Sequence, residues 1–380
     1  MSYEEKIKTA RYLARVFFEY EEGIEISEKP QDLSWDYVYG MAKRHSLPAL
    51  FFELLGERAK AEAPEALYKD WQRDAMIAGA KHISQKAALE SISKAFTEKE
   101  IAFLPLKGFL IKKLYKNPAL REMTDIDIFV GEENIEKARP LLLELGYNAD
   151  MSLEVHDSFK KPPFLEIELH KILHLDIKDY SFENSLPSQE NVYHRLMTEE
   201  DFLIFLLHHA KKHDETGGAG IRTVFDFYLL FKAKNYDENS IIERIKKEKL
   251  LDFYNRLKNL ISFWFEGAEA TRELLDFEVY TVTGGTYGNL ENAYLRRGKK
   301  KNALRLVLER VFPPYSLMSS RYPILKKCPI LLPFFYPIRL VASLFNGSAR
   351  KNMKALSGAG KKRRELEKLS QQNENSADKS

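Results

Sequence analysis

The sequence predicts an α/β (α+β) chain: a small sheet core embedded between N-terminal and C-terminal helical regions. Three observations carry this expectation. Residues 3–99 show helical periodicity throughout, including a long polar–apolar run from Pro64 to Glu100. Residues 101–190 then alternate short apolar strands with helices, and from about Glu199 onward the helical pattern returns. The expected organisation is 1–100 helical, 101–190 α/β core, 191–370 helical, and 371–380 a polar disordered tail.

Within the core, Ile101–Leu106 reads as a strand that runs into a helix from Gly108 to Tyr115. A strand over Asp125–Val130 and a helix over Glu133–Gly146 follow, with Gly146 as the helix stop. Two more strands are expected near Leu153–Phe159 and Phe164–Leu173, separated by Lys160-Lys161-Pro162-Pro163.

Chemistry concentrates on two of these strands. Side chains alternate along a strand, so Asp125 and Asp127 share one face while Ile126 and Ile128 share the other. Two carboxylates side by side repel each other unless a positive charge lies between them. A hard divalent cation with oxygen ligands is the usual solution, and Mg²⁺ on nucleotide phosphates is its commonest setting. A solvated Asp pair at a strand end is the alternative. The segment Phe164–His170 alternates strictly, with Glu166, Glu168 and His170 on one face and Ile167 and Leu169 on the other. Placed beside the Asp strand, it would supply Glu168 as a third carboxylate, although an exposed strand face has the same pattern. His170 either lines the same cleft or is a satisfied histidine at a domain contact.

Lys107-Gly108, a short helix ending in Tyr115, then Arg121-x-Met123-x-Asp125-x-Asp127, then the acidic–Leu–His strand together resemble the nucleotidyltransferase superfamily related to DNA polymerase beta. The branch they resemble most is that of the uncharacterised nucleotidyltransferases. His45-Ser46-Leu47-Pro48, the helix pair from His208 to Leu230, Gly284-Gly285-x-Tyr287-Gly288 and Phe312-Pro313-Pro314 extend the resemblance over most of the chain. It implies a mixed-direction sheet and a two-Mg²⁺ transfer of a nucleoside monophosphate from an NTP to an acceptor hydroxyl. It also implies metal ligation by Asp125, Asp127 and Glu168, with Lys107 and Gly108 at the nucleotide. Arg121, four residues before Asp125 in the loop feeding that strand, is positioned to contact the triphosphate or to neutralise the carboxylates, with an ordinary surface arginine as the alternative. In one respect the chain departs from the pattern: the superfamily has Gly-Ser or Gly-Gly at the phosphate-cradling turn, whereas Lys107-Gly108 is followed by Phe109. Lys107 is expected to replace the missing polar contact. A catalytically silent binding or scaffold module on the same fold is the rival reading.

Composition sets the remaining bounds. The chain has 380 residues, 30% charged and 44% hydrophobic, as in an ordinary globular protein. A net charge of +3 is too small to argue for a nucleic-acid partner. A lone cysteine, Cys328, excludes an intramolecular disulfide and a Cys-rich zinc site, and together with an N-terminus lacking an export signal it makes the cytoplasm the expected compartment. The acceptor, whether small molecule, peptide, protein or RNA end, is not readable.

Other features have plain structural explanations. His209 and His213 have helical i, i+4 spacing for a transition metal, but no Glu follows His209 as a zinc-protease helix requires. Arg222 and Asp226 are spaced for an intrahelical ion pair. The five cations in Arg296–Lys301 fit no P-loop and read as a solvated turn. Pro329–Phe345 is the most hydrophobic stretch, but its 17 residues are broken by prolines. Followed by a basic segment to Lys368, it offers a peripheral membrane contact through 329–368, with burial the simpler alternative.

Overall fold

The computed structural model describes residues 2–292 except 235, 287 and 290, and then 312–315, 318–319, 322 and 324–345. The basic turn at 296–301, the basic segment after 346 and the tail at 371–380 lie outside the described residues. The chain divides into two compact units, one of residues 1–212 and 220–282, the other of 213–219 and 283–380.

The first unit begins with four helices: α1 (Tyr3–Glu22), α2 (Trp35–Arg44), α3 (Pro48–Glu62) and α4 (Glu65–Glu98). A Ser2 capping box opens α1 and Gly23, in the left-handed conformation, closes it. At 34 residues and about 1.5 Å per residue, α4 is long enough to serve two cores. Its Trp71 belongs to a helical core, where Phe17 of α1 stacks on Phe225 at 4.0 Å. Its Ala88, Leu89, Ile92 and Phe96 belong to a second core beneath the sheet.

The sheet contains β1 (Leu104–Pro105), β2 (Ile126–Phe129), β3 (Asn148–Ser152), β4 (His156–Lys161) and β5 (Leu165–His170), in the order β1-β2-β5-β4-β3. Only β2 and β5 run parallel, so the sheet is mixed as expected. Its apolar face, with Ile126, Ile128, Ile167, Leu169 and Phe159, packs against α4 and α6 (Gly131–Glu144). Leu145 caps α6 and Gly146 follows at φ 82°, while the Tyr147 amide donates back to Leu142, so the glycine stop lies where the sequence put it.

Two elements are shorter than the periodicity suggests. Only Leu104 and Pro105 of the 101–106 stretch pair with β2. The helix after Gly108 is a single turn, α5 (Gly108–Ile111), continued as a 3₁₀ turn over Lys112–Leu114. After a short hairpin pairing Leu186–Pro187 with Arg195–Leu196, the chain returns to helices: α7 (Glu199–Thr216), α8 (Gly220–Lys232), α9 (Glu238–Lys247), α10 (Leu251–Phe265) and α11 (Arg272–Gly284).

In the second unit, glycines permit a close chain crossing. A Cβ on Gly217 would come within 2.4 Å of the Asn289 carbonyl oxygen, and one on Gly288 within 2.9 Å of Gly217. This gives Gly284 and Gly288 a packing role. The hydrophobic stretch forms a helix over Leu332–Phe345 with Pro337 inside it. Among the described residues, no helix is long and apolar enough to cross a membrane.

Candidate active site

The polar face of the sheet is assembled by the parallel β2–β5 register. Asp127 is the direct neighbour of Glu168, and Phe129 of His170. On the other side of β5, antiparallel β4 sets Ser158 beside Glu168 and His156 beside His170. Asp125 lies just before β2, on the same side by alternation. One carboxylate oxygen from each of Asp125, Asp127 and Glu168 lies within 4.8 Å of the others.

A single cation from the chain already occupies this cluster. Lys107 Nζ lies 2.5 Å from Asp127 Oδ1 and 3.9 Å from Glu168 Oε2, with the lysine side chain 16% exposed and Asp127 3%. Lys107 is the second residue of a turn closed by the Phe109 amide donating to the Leu106 carbonyl. Its φ of 43° and ψ of −116° belong to the region glycine normally occupies. Holding a lysine there costs of order 1–3 kcal/mol, so the turn is sustained by what its side chain and neighbours bind. A Cβ on Gly108 would meet Arg121 Nη1 at 2.8 Å and Met123 Sδ at 3.1 Å, so those side chains would have to shift.

Two histidines complete the cluster. His170 Nε2 is 2.9 Å from Asp127 Oδ1 and 3.5 Å from Glu168 Oε2, and His156 Nε2 is 3.4 Å from Glu168 Oε1. His170 thus lines the cleft, and its Nδ1 is buried without a hydrogen-bond partner. Burial and the nearby Lys107 oppose its protonation, but the bonds to Asp127 and Glu168 prevail and raise its pKa. Asp125 is pushed up to about 7 by burial first and by Asp127 second. Asp127 is held well below the usual carboxylate range, because Lys107 and His170 together outweigh its burial.

Arg121 does not face this cluster's carboxylates. It is 7% exposed and grips Asp226 of α8 through Nε at 3.1 Å and Nη2 at 2.7 Å, while Tyr115 donates to the same carboxylate at 2.8 Å. Arg222 donates to the Glu122 carbonyl at 3.0 Å. A buried Arg–Asp–Tyr group thus anchors the Lys107–Gly108 turn and the loop feeding β2 to α8. Phe109 is half-buried against the sheet's core, with Lys113 Nζ 5.4 Å from its ring centre.

The cluster suits a divalent cation. Mg²⁺ holds oxygens at about 2.1 Å in an octahedron, so neighbouring ligands lie about 3 Å apart; three carboxylates within 4.8 Å need only small rotations to reach that spacing. All three offer hard oxygen donors, and a divalent cation would offset the repulsion that, with burial, raises Asp125.

The profile of the family described as uncharacterised nucleotidyltransferase matches residues 31–266, a span that includes every residue of this cluster. The chain belongs to this family. Nucleotidyl transfer is accordingly the general activity its membership supports. Among curated proteins none matches this nucleotidyltransferase family member. Among solved structures it is similar to the antibiotic-resistance factor ANT(2'')-Ia, at 11% identity and a TM-score of 0.35, over 49% of this chain and 99% of that one.

Sequence reasoning singled out Asp125, Asp127, Glu168, Lys107, Gly108 and Arg121. The first four converge, Gly108 adjoins them, and Arg121 lies behind the turn. His156 was missed. Its period-2 spacing to Ser158 places both on one strand face, but only the β4–β5 register brings that face to Glu168.

Proposed function

We propose that this family member transfers a nucleoside monophosphate from an NTP to a hydroxyl of its acceptor, with two Mg²⁺ ions held by Asp125, Asp127 and Glu168. The observation that carries this reading is the convergence of three carboxylates from two parallel strands within 4.8 Å. When bound, the ions would acidify the acceptor hydroxyl and carry charge on the α-phosphate and the departing pyrophosphate. The acceptor hydroxyl gives its proton to solvent water, its oxygen attacks the α-phosphorus in line, the bond to the β-phosphate oxygen breaks, and pyrophosphate leaves.

The protein's own groups have separable tasks in this scheme. Asp125, Asp127 and Glu168 would hold the ions, which would supply the positive charge that makes the acceptor hydroxyl acidic. His170 fixes the orientation of Asp127 through its 2.9 Å contact. Lys107 transfers its ammonium from Asp127 to the phosphates, replacing the small polar residue that Phe109 displaces. Arg121 supports nucleotide binding indirectly, by walling the turn at Gly108.

A silent binding module is the second reading, favoured by one contact: Lys107 already pairs with Asp127 at 2.5 Å and offsets part of the cluster's charge without metal. Incubation with Mg²⁺, each α-labelled NTP and a cell extract separates the two. Label transferred by the native chain and lost in Asp125→Asn and Asp127→Asn supports the enzyme; no transfer with any NTP supports the silent module.

A further inference from the structure

A second cluster lies apart from the carboxylates, where the loop after β5 meets α7. His174 and Asp176 come from that loop and His208 from α7, and one ligand atom of each lies within 4.8 Å of the others. Asp176 Oδ2 is 3.4 Å from His174 Nδ1 and 3.7 Å from His208 Nδ1. Four ligands on a tetrahedral zinc at 2.0–2.1 Å are separated by about 3.3 Å, close to both distances.

The hydrogen bonds fix where the protons are. His208 Nε2 lies 3.3 Å from Glu248 Oε2, so in the neutral ring Nε2 carries the proton and Nδ1 the lone pair. His174 Nδ1 accepts the Asp176 amide at 3.2 Å, so it too is a lone pair, and its proton is on Nε2. Three acceptors, two imidazole nitrogens and a carboxylate oxygen, therefore face one another with no side-chain proton between them. His174 is 7% exposed, and its Nε2 is buried without a hydrogen-bond partner. The hydrogen bond within this set, from the Asp176 amide to His174 Nδ1, is local to the loop and does not involve His208.

We propose that His174 Nδ1, Asp176 Oδ2 and His208 Nδ1 bind a zinc ion, with Glu248 as the outer carboxylate that orients His208. A donor set of two nitrogens and one oxygen favours Zn²⁺ over Mg²⁺, which requires oxygen ligands in an octahedron. The Glu248–His208 bond is the carboxylate–histidine arrangement that fixes the tautomer of a metal-ligating histidine. The ion displaces one long hydrogen bond, that from the Asp176 amide. A side chain two-thirds exposed at Asp176 gives it a route in. Once bound, it ties the loop that follows Glu168 to α7.

The test uses the full chain carrying Asp125→Asn, so that the carboxylate cluster contributes as little as possible. After chelation, zinc uptake is measured by equilibrium dialysis at micromolar free Zn²⁺, and Co²⁺ is added separately to read the visible spectrum of a low-coordinate histidine site. The expected result is one Zn²⁺ per chain, an intense Co²⁺ band, and loss of both in Asp176→Asn and His208→Gln. Glu248→Gln should weaken zinc about 10–100-fold while keeping the band. Because Asp176 is exposed, Asp176→Asn keeps the fold and carries the test if His208→Gln does not fold. No zinc uptake, or equal uptake by chains with and without Asp176→Asn, overturns the proposal. Label transfer from NTP is not used in either outcome, so the result stands whatever the carboxylate cluster does.

Discussion

Lys107→Ala should push metal affinity and nucleotide affinity in opposite directions. In the native chain the ammonium lies 2.5 Å from Asp127 and 3.9 Å from Glu168, with both members of the closer pair buried. Removing one partner of a buried ion pair costs about 3–5 kcal/mol, most of it the penalty of leaving the other charge unpaired. Alanine keeps the unfavourable φ of 43°; Lys107→Gly relieves it and should recover about 1–3 kcal/mol of that loss. A divalent cation then no longer competes with the ammonium for Asp127 and Glu168, so Mg²⁺ should bind Lys107→Ala more tightly than wild type. At a concentration 100 times its Kd it should return about 2.7 kcal/mol of stability. The NTP, by contrast, loses a charge-assisted contact of about 1.5–3 kcal/mol, which raises its KM roughly 10- to 150-fold. Urea unfolding with and without Mg²⁺, and NTP saturation curves, measure both arms. Unchanged stability together with an unchanged KM would show that Lys107 is neither a partner of the cluster nor a phosphate contact.

Phe109→Ser should cost about 2 kcal/mol in urea unfolding, roughly half the price of a fully buried phenylalanine, because the ring is only half-buried against the sheet's core; a rise in stability would remove Phe109 from that core. Asp226→Asn should destabilise by about 3–5 kcal/mol, since it leaves the Arg121 guanidinium buried beside a neutral amide, and equilibrium unfolding reads the loss. Stability should also fall in acid through His45, which is fully buried, donates from Nε2 to the Val282 carbonyl and accepts the Ile221 amide at Nδ1. Burial lowers its pKa to about 3. The unfolded chain therefore takes up a proton below about 6.5 that the folded chain refuses. The contribution is complete above that pH, declines below it by about 1.4 kcal/mol per unit toward pH 3, and amounts to about 2 kcal/mol lost at pH 5. His45→Gln should flatten that slope in a pH series of unfolding midpoints; an identical slope would contradict the assignment.

What the sequence disclosed depended on how local the cause was. The 3.6-residue pattern of α4, the Gly146 stop of α6 and the alternation through Asp125–Ile128 and Glu166–His170 are each decided within a few residues, and the structure follows them. Strand β3 was invisible because Asn148–Ser152 is exposed throughout and owes its conformation to backbone pairing with β4. The register of Asp127 with Glu168 joins strands about forty residues apart, and no periodicity specifies it. Arg121 illustrates the same limit. Its position four residues before Asp125 suggested a phosphate contact, but the carboxylate that holds it is 105 residues away on α8. His174, Asp176 and His208 are similarly scattered, and only the loop after β5 brings them together.

The central claim is that Asp125, Asp127 and Glu168 hold divalent ions around a nucleotide. Counting bound Mn²⁺ by electron paramagnetic resonance, on chains carrying Asp176→Asn to silence the histidine cluster, tests it most directly. With a non-hydrolysable NTP analogue present, about two nucleotide-dependent Mn²⁺ per chain are expected, falling to none in Asp127→Asn and to fewer in Glu168→Gln. Nucleotide-dependent Mn²⁺ binding that is the same in the Asp127→Asn chain, or absent from the native one, would contradict the account.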